Sequence, residues 1–572
     1  MASAEVQSAA VPGALTDLRT ALAATPFALE IIGAEASRTE RDALLHQIDD
    51  YLLPRLASLD APLLAVVGGS TGAGKSTLVN SLVGEQLTAA GVLRPTTRAP
   101  ILICAPADRQ WFEGSRVLPQ MARTTGAPGD MGTLQLVTSA NLPPGLALLD
   151  APDVDSVVAE NRALAVQLLA AADLWVFVTT ASRYADAVPW DLLKAAQQRS
   201  AAIGVVLDRV PAEAEAVVPQ ALAGMLAEQG LGSAQVFSIA ESVLHDGRLP
   251  DEQVAPVLRW LHGLALDADA RADTIRQTLS GALAEAERRT AGLVKADAEQ
   301  AEAAAALRDM ASSSYVAARG EVEDGVRSGS ILRGEVLDRW QEFVGTGEML
   351  RSVQATVSRL RDRLVAAVSG RPTPEADVRG AVETEVESLV RAASDTAAHT
   401  TVASWRRHPA GAQLLAGQER ELATSSTGLD RQLPAEVRAW QGTVLDLVRE
   451  QGADKRTEAR VASYTVNGAG LAVMLAVFAQ TGGLTGIEIA VAGGTSAASQ
   501  KVLEAIFGDQ AVRTLARDAR RALLERVEGL LAAEEQRFTA RVDQGSPASP
   551  GALAAALRRW QSAAAGWSVR AR

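Results

Sequence analysis

Hydrophobic and polar positions divide the chain into three parts. Residues 1–60 carry two helical patterns, the clearer being "RTERDALLHQIDDYLLPRLASL", in which apolar positions recur every three or four residues. From residue 61 to about 250, short apolar runs alternate with helical segments and Gly/Pro turns, which predicts an α/β domain with a mostly parallel sheet. Beyond it, long amphipathic, alanine-rich segments predict an all-α bundle or stalk over residues 251–572.

The predicted strands are short and strongly apolar. They are "LLAVV", "ILIC", "LQLV", "LALL", "LWVFV", "IGVVL" and "QVFSI". Because "TLQLV" and "LALLD" are joined only by "TSANLPPG", we expect these two strands to form an antiparallel pair inside the sheet. The single cysteine, Cys104 in "PILIC", excludes an internal disulfide and is predicted to be a buried structural residue.

The most apolar part of the chain, residues 464–500, lies inside the helical region. It splits at "QTGG" into arms of about 14 and about 10 residues. Neither arm reaches the roughly 20 apolar residues that span a bilayer, and a single span would bury Gln480 and Glu488. Two interpretations stay open: a hairpin that dips into one leaflet, with residues 464–507 as a membrane paddle, and a glycine-rich hairpin buried in the bundle.

The C-terminal segment "GALAAALRRWQSAAAGWSVRAR" also has two interpretations. It carries four arginines and no acidic residue, with Leu553, Leu557 and Trp560 at helical spacing. Such a helix could rest on anionic lipid. Alternatively, it docks on the helices of residues 1–60, near the α/β domain.

Length and charge narrow the class of protein. The 572 residues predict two to four domains. The balance of 55 Lys+Arg against 68 Asp+Glu gives a net charge of −13, which argues against a general nucleic-acid partner. Because the first 30 residues show no basic start followed by a cleavable apolar core, we expect a cytoplasmic protein.

A glycine-rich segment follows the first apolar run of the α/β region. "GGSTGAGKST" spans Gly68 to Thr77 and fits G-x-x-x-x-G-K-S from Gly69 onward. Such a turn points backbone N–H groups inward, where a helix N-terminus adds partial positive charge. We expect Lys75 to reach the outer phosphates of a nucleotide and the Ser76 hydroxyl to ligate Mg²⁺. The predicted nucleotide-binding residues of this loop are Gly69, Ser70, Thr71, Gly72, Ala73, Gly74, Lys75, Ser76 and Thr77.

An acidic residue at the end of a neighbouring strand would complete the magnesium shell. "LALLDAPDVDS" supplies Asp150 in that place. GTPases carry D-x-x-G here, whereas the fourth residue of this chain is Asp153, whose carboxylate would repel the phosphate unless it is turned away. The alternative is that Asp150 merely caps a helix after a buried strand.

Three further segments lie where a P-loop GTPase places its other motifs. "GVLRPTTRAP" is positioned like a switch loop, in which Thr96 or Thr97 would contribute a hydroxyl and a carbonyl, although it also suits a plain turn. In "VVLDRVP", Asp208, Arg209 and Pro211 replace the Asn, Lys and Asp of the guanine-reading [N/T]-K-x-D. Arg209 would stack along the base, and Pro211 cannot accept a hydrogen bond from guanine. "VFSIAES", with Ser238, resembles the serine-alanine loop under the base.

In this order, the motifs resemble the G domain of dynamin-like GTPases, bacterial members in particular. The resemblance covers about 190 residues by motif, and the remainder by architecture only. "T-R-x-P" favours Thr97 over Thr96 as the threonine at Mg²⁺. Thr71 and Gly72 depart from the Gln and Ser with which eukaryotic dynamins help to hold a charge-compensating cation.

The resemblance implies a GTPase that couples GTP binding and hydrolysis to conformational change and membrane remodelling. Lys75 and Thr97 would be catalytic, Ser76, Thr97 and Asp150 would hold Mg²⁺, and Asp208, Arg209 and Ser238 would contact the nucleoside. The attacking water would be positioned by switch backbone and G-domain dimerisation. Expected partners are GTP, anionic membrane lipid, and a second copy or a second dynamin-like protein, at the inner face of the cell membrane. Two alternatives remain: a nucleotide-gated switch or scaffold with weak hydrolysis, and a P-loop protein that uses ATP.

Overall fold

The structure is a computed structural model of the chain. It describes residues 2–88, 99–114, 116–125, 132–156, 159–184, 190, 193–194, 196–197, 202–328, 336, 339, 374–452, 466–479, 509–545 and 551–568.

Strands occur only in the first half of the described chain. They are β1 (Leu63–Gly69), β2 (Ile101–Cys104), β3 (Ala122–Thr124), β4 (Thr133–Thr138), β5 (Leu146–Asp150), β6 (Leu174–Thr180), β7 (Ala202–Val210) and β8 (Gln235–Ala240).

Helices precede, interleave with and follow the strands. Up to the last strand they are α1 (Ala2–Ala23), α2 (Ala34–Gln47), α3 (Leu53–Ala57), α4 (Lys75–Val83), α5 (Arg109–Phe112), α6 (Ala159–Ala170) and α7 (Val218–Glu228). After it come α8 (Asp251–Leu266), α9 (Ala268–Ser328), α10 (Pro374–Arg406), α11 (Pro409–Leu415), α12 (Glu419–Leu422), α13 (Thr427–Gly452), α14 (Val466–Ala479), α15 (Asp509–Gly545) and α16 (Ala552–Ser568).

The strands form one sheet in the order β3-β4-β2-β5-β1-β6-β7-β8. Every described pair of neighbours is parallel except β2 and β5, which are antiparallel. The predicted fold class is therefore confirmed: a mostly parallel α/β sheet in a chain that continues into long helices.

The expected direct pairing of β4 with β5 is wrong. These strands do run in opposite directions, but β2 lies between them and pairs with both. The physical reason is burial, because all four residues of β2 are buried whereas β4 is buried only at alternate positions in its first half. A strand that is apolar on both faces belongs inside the sheet, and a half-buried strand lies closer to its edge.

Helices cover both faces of this sheet. On one face, Leu64 and Val66 of β1 share a core with Leu168 of α6. On the other face, Val67 of β1 packs with Leu82 of α4 and with the apolar side of α8. Since successive residues of β1 point to opposite faces, this one strand contributes to both cores.

The predicted buried environment of Cys104 is confirmed. Its side chain is fully buried in β2. Burial raises the pKa of the Cys104 thiol to about 12, as expected for a thiol that would have to ionise away from water.

The sheet belongs to a compact unit of residues 1–27, 33–299 and 547–572. Within it, Leu15 and Leu18 of α1 share a core with Leu557 and Trp560 of α16. The final helix therefore docks on the first helices, and its apolar side is covered by protein. Of the two sequence interpretations for this segment, the structure favours docking over lipid contact.

The second compact unit comprises residues 28–32 and 300–546 and is helical in its described parts. Valines spaced four residues apart on α10 are buried in its core, namely Val378, Val382, Val386 and Val390. Trp405 and Trp440 are fully buried there and donate Nε1–H bonds to backbone carbonyls, of Leu307 at 3.0 Å and Ala519 at 2.8 Å. The domain boundaries expected at residues 60 and 250 stay predictions.

Helix α14 is the described part of the apolar segment 464–500. Its described side chains from Leu471 to Phe478 are buried in the core of the second unit, where the Phe478 ring lies 6.1 Å from that of Trp440. For this arm the structure favours the buried hairpin over the membrane paddle. Residues 480–500 lie outside the described residues. Within the described chain, no helix combines the length and the apolarity that crossing a membrane requires.

Candidate functional site

The glycine-rich loop connects the end of β1 to the start of α4. Gly69 and Gly74 adopt positive φ angles of 150° and 96°, which L-residues with side chains rarely adopt. A Cβ on Gly69 would lie 2.1 Å from the carbonyl oxygen of Val178 in β6, and one on Gly74 would lie 2.4 Å from Asp208 Oδ2. Only glycine fits at both positions, so the loop can turn tightly between β1 and α4.

Lys75 is the first residue of α4, and its side chain is only 6% exposed. The ammonium curls back over the loop and donates to the carbonyl oxygens of Gly69 and Ser70, at 3.0 and 3.1 Å. It also forms an ion pair with Asp153. The ammonium of the predicted phosphate-binding lysine therefore lies over the loop, in contact with the Asp153 carboxylate.

Ser76 and Asp150 lie together, as the sequence predicts for a pair of metal ligands. The Ser76 hydroxyl donates to Asp150 Oδ2 at 2.7 Å. Asp150 is fully buried, and burial raises its pKa to about 6, against the opposing effects of the Ser76 hydrogen bond and the Lys75 charge. Its Oδ1 has no hydrogen-bond partner among the described residues. A buried, unsatisfied carboxylate oxygen beside a hydroxyl is the hard oxygen set that suits a small divalent cation.

The alternative role of Asp150 as a helix cap does not fit this geometry. Asp150 is the last residue of β5, and the next described helix, α6, begins only at Ala159. The β5 register explains its position instead: β5 pairs with β1 in parallel, with Asp150 opposite Val67. Asp150 therefore lies at the same edge of the sheet as the glycine-rich loop.

A second carboxylate from the same segment, Asp155, contacts the loop from another side. Asp155 Oδ1 accepts hydrogen bonds from the backbone N–H of Thr71 at 2.5 Å and from its hydroxyl at 2.7 Å. Arg183, just after β6, donates to Asp155 Oδ2 at 2.8 Å and to the Thr71 carbonyl at 3.0 Å. Burial alone would raise the pKa of Asp155, but the bonds from Thr71 and Arg183 outweigh it and hold that pKa below its usual value.

Asp208 and Arg209, near the end of β7, lie on the side of the glycine-rich loop that we expect to face the base. Asp208 is buried, which raises its pKa against the opposing effect of the Arg209 N–H and charge, and its Oδ1 has no partner among the described residues. Arg209 has a φ of 54°, which is uncommon for a residue with a side chain, and its guanidinium donates to the carbonyl of Gly72. Both residues thus lie against the glycine-rich loop.

The remaining predicted residues are placed differently. Ser238 is exposed and lies within β8, opposite Leu207 of β7, rather than in a loop after the last strand. Ala73 is buried in the loop and Thr77 lies in the first turn of α4. Thr96 and Thr97 lie outside the described residues.

Two participants, Asp155 and Arg183, were not predicted from the sequence. Both follow the carboxyl ends of strands that flank β1, at positions without a fixed motif. The parallel register supplies the missing signal, because residues after the carboxyl ends of parallel neighbours meet at one edge of the sheet. Polar residues just after "LALLD" and "LWVFVTT" are therefore candidates for contact with a loop that follows "LLAVV".

No protein-family model matches the chain, and no curated protein matches it in sequence. Two similar solved structures are titled as an oligomerised bacterial dynamin pair that provides a mechanism for the long-range sensing and tethering of membranes. They are 11% and 10% identical, with TM-scores of 0.41 and 0.40, and cover 95% and 93% of this chain and 92% and 94% of their own.

A third similar structure is titled as the LeoA bacterial dynamin GTPase from ETEC. It is 11% identical, has a TM-score of 0.23, and covers 99% of this chain and 98% of its own. All three titles name bacterial dynamins, the family that the motifs resemble. These TM-scores are low, so the residues of the site are the basis on which a function is proposed.

Proposed function

We propose that this chain is a P-loop nucleoside triphosphatase of the dynamin-like class, with GTP as its substrate. The observation that supports this most strongly is the placement of Lys75 and Ser76 in the first turn of α4, beside Asp150 at the end of the parallel neighbour β5. This arrangement combines a lysine ammonium, a helix N-terminus and a pair of oxygen ligands at one point.

Each residue has a distinct role in the proposed reaction. Backbone N–H groups at the head of α4 would hold the phosphates, and Lys75 would offset charge on the outer ones. Ser76 and Asp150 would hold Mg²⁺, with Thr97 as the third protein ligand that the sequence predicts. Bound Mg²⁺ would supply neutralisation of the charge that develops during phosphoryl transfer. We assign catalysis to Lys75 and Thr97.

The positions of Asp208 and Arg209 support guanine as the base, whereas the residue types of the motif differ from those that read guanine. Arg209 is held against the Gly72 carbonyl, where its planar guanidinium would lie along a bound base. Asp208 lies next to Gly74 and would fix the loop beneath the nucleoside. Pro211 accepts no hydrogen bond through its side chain, so ATP remains the alternative substrate.

Nucleotide-dependent rearrangement of the helical part is proposed to follow from the position of α8. Leu82 of α4 and Val257 of α8 share one core. Helix α8 ends at Leu266, and the 61-residue helix α9 begins at Ala268. Ile275 of α9 belongs to the same core, so a shift of α4 on nucleotide binding would reach α9 through packed side chains.

Membrane remodelling is proposed in addition to nucleotide hydrolysis, and it depends on residues 480–500. Helix α14 and the apolar side of α16 are buried in protein, so neither supplies a lipid-facing surface. The more distal arm of the apolar segment would then make peripheral contact with anionic lipid at the inner face of the membrane. Self-association, or pairing with a second dynamin-like protein, is proposed to accompany it.

A second candidate function is a nucleotide-gated switch or scaffold with weak hydrolysis. The specific observation that favours it is the Asp153 carboxylate on Lys75, at a position where the D-x-x-G pattern carries glycine. A negative side chain at the phosphate-binding lysine would slow loading of the nucleotide.

Competition binding tests the nucleotide proposal. Fluorescent GTP bound to the full chain with Mg²⁺ should be displaced by GTP at far lower concentration than by ATP. Lys75→Ala should bind at least tenfold more weakly, because it removes charge-assisted hydrogen bonds to the phosphates. Displacement by ATP at the same concentration as GTP would show that the site does not prefer GTP. Unchanged binding by the Lys75→Ala variant would refute the P-loop assignment.

Co-sedimentation with vesicles tests the membrane proposal. Since α14 is part of a protein core, the deletion should remove residues 480–500 alone and replace them with a short Gly/Ser linker. The intact chain should sediment with vesicles that contain phosphatidylglycerol, and the deletion variant should stay in the supernatant. If the intact chain also stays in the supernatant, with and without GTP, the result would favour the nucleotide-gated switch over membrane remodelling as the function.

A further inference from the structure

The end of β5 and the segment after it bring three carboxylates to the glycine-rich loop, and each contacts a different group. Asp150 accepts from the Ser76 hydroxyl, Asp153 pairs with the Lys75 ammonium, and Asp155 accepts from Thr71. The first of these suits a metal ligand. The pair between Asp153 and Lys75 is different, because it places a negative side chain against the lysine that the proposed reaction needs for the terminal phosphates.

The hydrogen-bonding capacity of Lys75 makes this contact exclusive. An ammonium group has three N–H donors. Two of them go to the carbonyl oxygens of Gly69 and Ser70, and the third goes to Asp153. A phosphate oxygen can therefore bond to Lys75 only if one of these partners leaves. The carbonyls are fixed parts of the loop backbone, whereas Asp153 is a side chain with 22% of its surface exposed.

The backbone around Asp153 is fastened to the loop by the next two residues. The N–H of Val154 donates to the Gly69 carbonyl at 3.3 Å. Asp155 is held by Thr71, and Arg183 binds both of them. These contacts hold Asp153 at Lys75 and give the segment a defined place to return to after displacement.

We propose that Asp153 is an internal competitor for the terminal phosphate of the nucleotide. Its carboxylate and the phosphate use the same ammonium, so a nucleotide binds only as the segment 153–155 withdraws Asp153 from Lys75. The competition sets the affinity of the site and discriminates between ligands by phosphate charge. This inference rests on the proposed nucleotide-binding function and adds the residue that regulates it.

Two variants of Asp153 isolate the effect. Asp153→Asn keeps the shape and removes the charge, and Asp153→Gly restores the residue of the D-x-x-G pattern. Asp60→Asn is the matched control, because it removes the same charge from an exposed turn before the other end of β1. The probes are GTPγS, GDP and inorganic tripolyphosphate, each with Mg²⁺, measured by calorimetry or by displacement of fluorescent GTP.

Both Asp153 variants should bind GTPγS about tenfold or more tightly than the natural chain, the size expected when a competing charge-assisted hydrogen bond is lost. The gain should be smaller for GDP, which brings less charge to Lys75. Tripolyphosphate, which has no base, should gain at least as much as GTPγS because the effect resides at the phosphates. Asp60→Asn should match the natural chain.

Affinities for GTPγS and tripolyphosphate that stay within twofold of the natural chain in both variants would overturn the inference, as would an equal gain in Asp60→Asn. The competitor role of Asp153 and the proposed nucleotide-binding function can be disproved separately. If the natural chain binds none of the three probes and the Asp153 variants bind none either, the proposed function is wrong. If the natural chain binds GTPγS and the variants do not improve on it, only the competitor role is wrong.

Discussion

At the scale of residues, an ion pair lies at each end of β1. At its carboxyl end, Lys75 pairs with Asp153 in a contact that we propose a phosphate replaces. At its amino end, Arg55 of α3 pairs with Asp173, which also accepts from the Leu64 N–H of β1 at 2.9 Å. Arg55 donates to the carbonyls of Ala61 and Pro62 as well. This second pair has a structural role, because it connects α3 to the sheet.

Replacing Arg55 by methionine should therefore destabilise the unit that contains the sheet by about 3–5 kcal/mol, because it leaves the fully buried Asp173 carboxylate without its cation. Urea denaturation followed by circular dichroism measures the change. Arg276→Met is the control, because Arg276 and Asp273 form an exposed pair on α9 and its loss should change stability by less than about 0.5 kcal/mol. Equal effects of both substitutions would refute the structural role of Arg55.

The residues of the site could be predicted as far as a motif fixes them. Gly69, Lys75 and Ser76 follow from one contiguous pattern, and Asp150 follows from being the acid at the end of a strand. Asp155 and Arg183 could not, because their contact with Thr71 depends on which strands flank β1. That order is a property of the folded sheet and not of any local sequence.

At the scale of elements, the same distinction applies to β2. Its apolar run predicts a buried strand correctly, but periodicity carries no information on its neighbours, and its insertion between β4 and β5 was missed.

The environment of α14 could not be predicted from the sequence, for a different reason. Its described side chains are buried on every side, so the apolar run lacks the polar face that separates a protein core helix from a membrane segment.

Strand β2 provides a direct probe of the sheet through the single cysteine. With a pKa of about 12, the Cys104 thiol is almost entirely protonated at pH 8, and the thiolate is the reactive form. Because the side chain is also buried, a maleimide reagent should modify the folded protein hardly at all within hours and modify it within minutes in urea. Mass spectrometry quantifies the product. Rapid modification of protein that retains its native circular dichroism would contradict the position of β2.

For α14, the two interpretations predict different consequences of a substitution. Phe478 is 1% exposed and packs near Trp440, so Phe478→Ala should destabilise the helical unit by about 3–5 kcal/mol in the absence of lipid. Val316→Ala, at a 55% exposed position on α9, is the control and should have little effect. Limited proteolysis across a urea series reports the change. Unaltered stability of Phe478→Ala would support the membrane interpretation of this arm.

At the scale of the whole molecule, one chain contains both the glycine-rich loop and the long helices. Eight residues lie between Asp150 and α6, and they include Asp153 and Asp155, two of the carboxylates at the glycine-rich loop. Nucleotide binding would begin the proposed conformational change at two places: the proposed withdrawal of Asp153 from Lys75, and the packing of α4 on α8. The net charge of −13 agrees with partners other than nucleic acid.

Hydrolysis of GTP and ATP by the full chain is the decisive measurement for the proposed GTPase activity. It should be made at several protein concentrations, with and without phosphatidylglycerol vesicles, beside Lys75→Ala. We expect Mg²⁺-dependent release of phosphate from GTP that increases with protein concentration or with vesicles and is lost in Lys75→Ala. Absence of hydrolysis of either nucleotide under all these conditions, or equal hydrolysis by Lys75→Ala, would contradict it.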